Sequence, residues 1–241
     1  MVTNNQNDIL KVSVLMATYN RAFEVGGISF LERAILSFLN QEYKNSELII
    51  LNDCSTDNTV DILNKYEGHE RIKIFHAEQN MRPPNNWNWL WQHATGDLVC
   101  QLHDDDELTE SGLSFRVNLF NNDNGLHVVY GGVITQDFNG NQCAIIEAQK
   151  PDKQRILNDE YINFTTLMYR SDLGINFDAD LRYYFDWLFK IRCLHERKVG
   201  YIKNPVMRYT VHHGQETNKC RRENMNAIEE KKMREKLKTI L

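Results

Sequence analysis

The chain has 241 residues, 41% of them hydrophobic and 25% charged, with a net charge of -5. That is ordinary for a soluble globular protein, and long enough for one large domain or two small ones with a substantial core. The acidic balance lacks the basic face of a protein that grips a phosphate backbone, so nucleic acid is not expected as a partner. The five cysteines Cys54, Cys100, Cys143, Cys193 and Cys220 form no CxxC pair. Zinc and dithiol chemistry are therefore disfavoured, and free thiols in a reducing compartment are expected. The opening MVTNNQNDIL is polar, without the layout of a signal peptide, and no apolar run is long enough to span a bilayer. The reading is a cytoplasmic protein.

In chain order, VSVLMA (12–17) reads as a buried strand that runs into the polar TYNR. ISFLERAILSFL (28–39) has helix periodicity with a wide apolar face through residues 28, 31, 35 and 38 and residues 30, 34 and 36. SELIILND is a second buried strand, STDNT supplies helix-capping chemistry, and VDILNKY carries the next helix. RIKIFHA is a third strand. NNWNWLWQHAT predicts a helix closed by Gly96, and DLVCQLH a fourth strand that ends in HDDD. The order β-α-β-α-β-α-β argues for a parallel sheet covered by helices. Ligands of such sheets bind beyond the carboxyl ends of the strands. TYNR, NDCSTD and HDDD each follow a strand, so they are expected to converge on one sheet edge.

The second half reads differently. SGLSFRVNLF predicts a helix, and HVVYGGVITQDFNGNQCAIIE two strands around an Asn-Gly turn. Residues 147–160 look like a loop. INFTTLMYR is short and apolar, YYFDWLFKIRCLHE has helix periodicity, and VGYI and PVMRYTVHH are two short strand candidates. Residues 221–241 hold seven Lys or Arg and four Glu. They read as a charged helix, either exposed or packed. With no repeat or clear linker, the chain reads as one domain.

Some residue types carry chemistry. Hard divalent cations such as Mn²⁺ or Mg²⁺ take carboxylate oxygens together with substrate phosphates. In an extended segment Asp104 and Asp106 would point one way and Asp105 the other, so the three are not expected to share one job. A solvated turn and a cation site are equally open for such a triplet alone. Asp53 follows LIIL after Asn52 and is placed to accept a hydrogen bond from a base or ribose. Ser55, Thr56 and Asp57 fit helix capping. Trp87 and Trp91 share one helix face, which favours the core.

ATYNR (17–21), LIILNDCSTDNT (48–59) and ATGDLVCQLHDDDEL (94–108), in this order and spacing, resemble the successive signatures of family 2 glycosyltransferases. The match runs across about residues 11–110 and continues more loosely through YFDWLFKIRCL and PVMRYTVHH. The resemblance implies a GT-A-like α/β fold: a Rossmann-type, mostly parallel sheet flanked by helices, with a mixed acceptor-side half. The nucleotide-sugar-binding half would span about 11–110, the acceptor half about 111–220, and the charged helix 221–241. It implies that Thr18, Tyr19, Asn20 and Arg21 line the nucleotide pocket, that Asp53 bonds the base, and that Asp57 holds that loop or the nucleotide. Arg82 and Asn88 border the donor. The family's DxD element maps onto His103, Asp104 and Asp105, with His103 where the first Asp often stands. Asp105 would ligate Mn²⁺ or Mg²⁺, with Asp106 and the late His212 completing the expected metal set. His213 is the alternative to His212.

Asp186, in YYFDWLF, matches the family's catalytic base. The bland reading is that it caps the helix; its aromatic setting suits a base, since apolar burial raises a carboxylate's pKa. The implied activity is inverting, metal-dependent transfer from a nucleotide-sugar, with UDP the first choice, to a carbohydrate, lipid-linked or protein-linked acceptor hydroxyl. Arg170 and Arg208 would pair with phosphates or an acidic acceptor, or simply be solvated. The basic C-terminal helix would be the route to any contact with the inner face of a membrane, although its Glu residues weaken that reading. Two alternatives stand beside this one. A nucleotidyltransferase would place a Gly-rich phosphate loop after the first strand, where this chain has only Gly26-Gly27, set late. A non-catalytic sugar- or metal-binding module would make Asp186 structural.

Overall fold

A computed structural model of the chain describes residues 10–22, 24–25, 27–158, 162–195, 197–215, 218 and 225–239. The elements in chain order are β1 (Val12–Thr18), β2 (Glu24–Val25), β3 (Ile28–Ser29), α1 (Phe30–Leu39), β4 (Ser46–Asn52), α2 (Thr59–Asn64), β5 (Ile72–His76), α3 (Asn85–Gln92), β6 (Leu98–Gln101), β7 (Glu107–Leu108) and α4 (Gly112–Asn122). They continue with β8 (Val128–Asp137), β9 (Gln142–Ile146), α5 (Lys153–Asn158), a 3-10 turn (Phe164–Thr166), β10 (Met168–Arg170), α6 (Phe185–Leu194), β11 (Val199–Val211) and α7 (Asn226–Leu237).

One nine-stranded sheet runs β5-β4-β1-β6-β10-β8-β11-β7, with β9 on β8. The first four strands, β5, β4, β1 and β6, are mutually parallel. The rest of the sheet is mixed: β10 lies antiparallel between β6 and β8, while β11 is parallel to β8. This matches the expected parallel half joined to a mixed half. Strand β1 shows why. Val12, Val14 and Met16 pack under Phe38 of α1, Ile62 of α2 and Val117 of α4, while Leu15 points to the opposite layer of Trp87, Leu90 and Phe189 from α3 and α6. A strand covered on both faces reads as a continuous apolar run.

Several expectations need correction. Helix α1 starts at Phe30, because the Ser29 hydroxyl accepts from Glu32 N–H at 3.1 Å and caps it. Ile28 and Leu36, assigned to its apolar face, are 42% and 38% exposed. Gly96 does not close α3, which ends at Gln92. A Cβ there would lie 2.6 Å from Ser13 N and 2.7 Å from Lys11 O, so glycine is required by the close approach of β1. The loop 147–160 contains α5, whose start is capped by Asp152 accepting from Gln154 N and Arg155 N. The two late strand candidates are one strand, β11, whose register against β8 slips on either side of Pro205. The Asn-Gly turn is as expected, with Gly140 at φ +87°. Cys54, Cys100, Cys143 and Cys193 are free thiols; Cys220 lies outside the described residues.

Helix α7 packs inward. Met233 and Leu237 are buried against Leu181, Trp187, Leu188 and Ile191. Met233 and Leu237 are thus spent on the protein's own core, as the packed reading of this segment expects, while Ile228 is exposed. Residues 221–224 and 240–241 of it lie outside the described residues. No described helix is long and apolar enough to cross a membrane.

Candidate active site

Because β1, β4 and β6 are parallel neighbours, their carboxyl ends share one edge of the sheet. The polar loops after them meet there, as expected. Asn20 takes φ +51°, a left-handed conformation that asparagine tolerates. Its N–H donates to Ser55 Oγ at 3.0 Å, and its side-chain oxygen accepts from Thr56 N at 2.7 Å. Asp57 accepts from Ala22 N and Thr59 N, both at 3.0 Å. Arg21 N donates to Thr59 Oγ1 at 2.8 Å. Asn20 and Asp57 therefore fasten the first loop to the second. Burial opposes the charge on Asp57, but the bonds from Thr59 and Ala22 outweigh it and hold its pKa below the ordinary value. Thr18 is buried and its hydroxyl has no protein partner, while Tyr19 stands 46% exposed at the rim.

Asp53 is buried. Its carboxylate accepts from Met81 N (2.7 Å), Arg82 N (3.0 Å) and Asn86 Nδ2 (3.2 Å). It anchors the turn before α3, in which Arg82 sits exposed at φ +58°. Asn88 is committed elsewhere. Its amide accepts from Phe177 N at 2.8 Å and donates to Phe177 O at 2.9 Å, tying α3 to the segment before α6. Trp87 and Leu90 are buried, and Trp91 stacks on Tyr169 with centroids 4.7 Å apart, which is the core role expected of this face.

The acidic triplet divides its work. Asp104 pairs with Arg21 Nε at 3.0 Å. Asp105 Oδ2 lies 3.4 Å from Arg21 Nη2 and 2.9 Å from His212 Nε2. His212 Nδ1 accepts from Gly214 N at 3.1 Å, so Nε2 carries the proton and donates to Asp105. His212 in this arrangement orients Asp105. The ligand-capable atoms that cluster are those of His103, Asp105 and Asp106, all within 4.8 Å of one another. Asp106 is buried; its Oδ1 accepts from Thr210 N at 3.0 Å, and its Oδ2 has no hydrogen bond, with His103 Nδ1 3.9 Å away.

Burial works against the charge on Asp105, but the His212 bond and the Arg21 charge outweigh it and its pKa falls to about 2. For Asp106, burial and then the Asp105 charge push the pKa well above the carboxylate range, against the Thr210 N–H. Desolvation pulls His103 below its ordinary value, against the charges of Asp105 and Asp104. A neutral imidazole, an ionised carboxylate and a second carboxylate with an oxygen outside any hydrogen bond suit a divalent cation. The Oδ2 of Asp106, buried without a hydrogen bond and facing His103 Nδ1, is the observation that makes the fit specific.

The aromatic layer links this cluster to Asp186. His103 packs against Trp87 (5.5 Å) and Phe164 (6.1 Å), Phe164 against Phe177 (5.8 Å), and Phe177 against Phe185 (5.7 Å). Asp186 is half-buried in the first turn of α6, where its Oδ1 accepts from Trp187 N at 2.8 Å. Arg170 is not at the site. It pairs with Leu98 at the opposite edge of the sheet and donates to Leu126 O and Asn124 O. Arg208 is half-buried on β11 beside Glu107, and His213 is exposed.

Two supports have no clear sequence signal. Arg116, wholly buried in α4, donates to Thr166 O at 3.3 Å and Leu167 O at 3.2 Å, pinning the 3-10 turn that presents Phe164 to His103. Glu107, next to Asp106, is held by Arg33 of α1 and by Gln136 at 2.7 Å; Gln136 also reaches the Thr210 hydroxyl at 3.1 Å.

Comparison with known proteins fits this geometry. Residues 13–168 match the family model of Glycosyl transferase family 2. An uncharacterized glycosyltransferase of Haemophilus influenzae is 30% identical over 190 residues, covering 78% of this chain and 73% of its own. The GalNAc(5)-diNAcBac-PP-undecaprenol beta-1,3-glucosyltransferase of Campylobacter jejuni is 34% identical over 139 residues, covering 54% of this chain and 42% of its own. Among solved structures, S. aureus TarS 1-349 in complex with UDP-GlcNAc superposes with a TM-score of 0.66 at 20% identity, covering 86% of this chain and 60% of that one. The chain thus spans less than two thirds of the last two.

Proposed function

Because this chain belongs to glycosyl transferase family 2, we propose that it transfers a sugar, with inversion, from a UDP-sugar to an acceptor hydroxyl, and that transfer needs a divalent cation. The observation that carries the reading is the His103–Asp105–Asp106 group at the carboxyl edge of the sheet, with one buried carboxylate oxygen left without a hydrogen bond. Mn²⁺ or Mg²⁺ held by these residues would neutralise the charge on a departing diphosphate.

The chain's own residues supply the rest. Arg21 lies against Asp104 and Asp105, next to where that diphosphate would sit. Thr18, Tyr19 and Asn20 line the approach for the nucleoside, and Asp53 holds the turn that carries Arg82. Asp186 takes the proton from the acceptor hydroxyl as its oxygen attacks the anomeric carbon and the bond to the diphosphate breaks. Attack opposite to the leaving group inverts the anomeric configuration.

UDP is favoured as the nucleotide by the fold's likeness to TarS, whose solved complexes hold UDP and UDP-GlcNAc. A lipid-linked carbohydrate is the first acceptor to try, since the Campylobacter relative is named for an undecaprenol-linked one. Synthesis of a surface glycan or glycolipid from the cytoplasm is part of the same proposal. The test is proton NMR of wild-type protein with Mn²⁺ and UDP-GlcNAc, UDP-glucose or UDP-galactose, reading the anomer formed before mutarotation. A β product from an α-linked donor is expected. An α product would overturn inversion, and no turnover with any of the three would count against a UDP-hexose donor.

A further inference from the structure

We infer that Glu229 of α7 is a positioning residue, and that α7 is a clamp setting the loop that presents Asp186. The inference rests on the reading of Asp186 as the base. It concerns elements beyond residue 168, where the family match ends.

The geometry is specific. Glu229 is 2% exposed, on a helix whose remaining charges are mostly at the surface. Its Oε2 accepts from Arg182 N at 2.7 Å and from Tyr183 N at 3.3 Å, three or four residues before Asp186. A buried carboxylate that takes two consecutive backbone N–H groups fixes that peptide's position and orientation. Two further contacts flank the bond. Lys236 pairs with Asp178 at 2.9 Å and Asp180 at 2.8 Å. The Arg234 guanidinium lies over the Trp187 ring at 5.4 Å, and Trp187 directly follows Asp186. Met233 and Leu237 bury the helix against Leu181 and Leu188. The helix therefore grips the segment on both sides of Asp186, while Trp187 Nε1 is held from the other side by Ile156 O at 3.0 Å. The loops at the carboxyl edge of the sheet are fastened by separate bonds, those of Asn20, Asp53 and Asp57. Loosening them should misplace the base and leave the donor site intact, and a displacement of about 1 Å at a reacting group can cost on the order of 10²-fold in rate.

The test uses the full chain with UDP-GlcNAc and Mn²⁺, water serving as acceptor. Water oxygen bonds to the anomeric carbon, the carbon–oxygen bond to the diphosphate breaks, the proton passes to Asp186, and UDP leaves. Wild type, Glu229→Gln, Glu229→Ala, Asp186→Asn and the Glu229→Ala/Asp186→Asn double variant are compared. Glu229→Ala is expected to lower kcat for UDP release by about tenfold or more, with KM and calorimetric UDP affinity within about twofold. Glu229→Gln, which keeps an acceptor oxygen, recovers most of the rate. The double variant is no slower than Asp186→Asn, because the clamp acts through the base. An unchanged rate in Glu229→Ala, a parallel loss of UDP affinity, or multiplicative losses in the double variant would overturn the clamp.

Hydrogen exchange of the same proteins separates this idea from the function it rests on. In Glu229→Ala the amides of Arg182 and Tyr183 should exchange at least about tenfold faster, with β1, β4 and β6 unchanged. Unaltered protection would refute the clamp whether or not the protein turns over UDP-sugars. Faster exchange in a chain that neither binds nor cleaves them would leave the clamp standing and fail the enzymatic reading.

Discussion

Replacing Asp106 by Asn should stabilise the metal-free protein while removing its function. Asp106 is buried beside Asp105, with one oxygen bonded to Thr210 N and the other without a hydrogen bond. Asparagine keeps the Oδ1 acceptor for Thr210 and puts an uncharged amide where the second carboxylate oxygen lies. It also removes a buried negative charge next to a like charge. Neutralising such a group is worth about 1–3 kcal/mol. For a chain of this length each kcal/mol moves the melting temperature by about 2–4 °C. The gain must depend on pH with a definite sign. Burial and Asp105 raise the pKa of Asp106 in the folded state, so the folded wild type keeps this proton at acidic pH and loses stability as pH rises above the ordinary value of 3.8. The advantage of Asp106→Asn should therefore be smaller at pH 5 than at pH 8. The assay is thermal unfolding in a chelator at both pH values, repeated with Mn²⁺ and UDP. Wild type should gain stability from Mn²⁺ and UDP, and the variant should not. A variant less stable than wild type in chelator at pH 8 would refute the reasoning and make Asp106 a structural anchor.

Other perturbations follow from the same geometry. Glu47 has a pKa held at about 2, where burial opposes its charge but bonds from Lys73, Ser13, Thr95 and Lys11 outweigh it. Its stabilisation is present above the ordinary 4.5 and is lost as pH falls from there to about 2. Glu47→Gln should lower stability at pH 7 by roughly 1–2 kcal/mol, discounted because its lysine partners are solvated, and flatten the acid limb of a denaturation series. Gly96→Ala would place a Cβ 2.6 Å from Ser13 N and should cost more than about 2 kcal/mol in urea unfolding. Asn20→Ala breaks the bond to Thr56 and leaves a left-handed residue without its side-chain support. It should weaken UDP binding severalfold, read by calorimetry, while shifting melting by only a few degrees.

The nucleotide half was legible because its signals are local. A continuous apolar strand, a polar loop and a helix period repeat through β6, and parallel pairing then forces the three loops onto one edge. Asn20, Asp57 and the acidic triplet could be placed from that alone. What escaped depends on long-range partners. Nothing near Asn88 in the chain says that its amide pairs with Phe177. Sequence leaves Arg170 open between an anion partner and a solvated face; β10 runs antiparallel to β6 and carries it to the far edge. The helix α5 was hidden in a polar stretch, although Asp152 offered a cap. Gly96 was read as a helix end when its reason is the backbone of β1. The division of labour among Asp104, Asp105 and Asp106 follows from Arg21, His212 and Thr210, residues that only the tertiary fold brings together. Glu229 looks like any charge on a surface helix until α7 is seen to dock.

The most direct measurement is calorimetric binding of UDP to wild type and Asp105→Ala, each with Mn²⁺ and with chelator. The account predicts that wild type binds UDP at least about tenfold more tightly with Mn²⁺ than without, and that Asp105→Ala binds equally weakly in both. UDP binding that ignores Mn²⁺ in wild type, or that keeps its Mn²⁺ dependence in Asp105→Ala, would contradict a cation site at His103, Asp105 and Asp106.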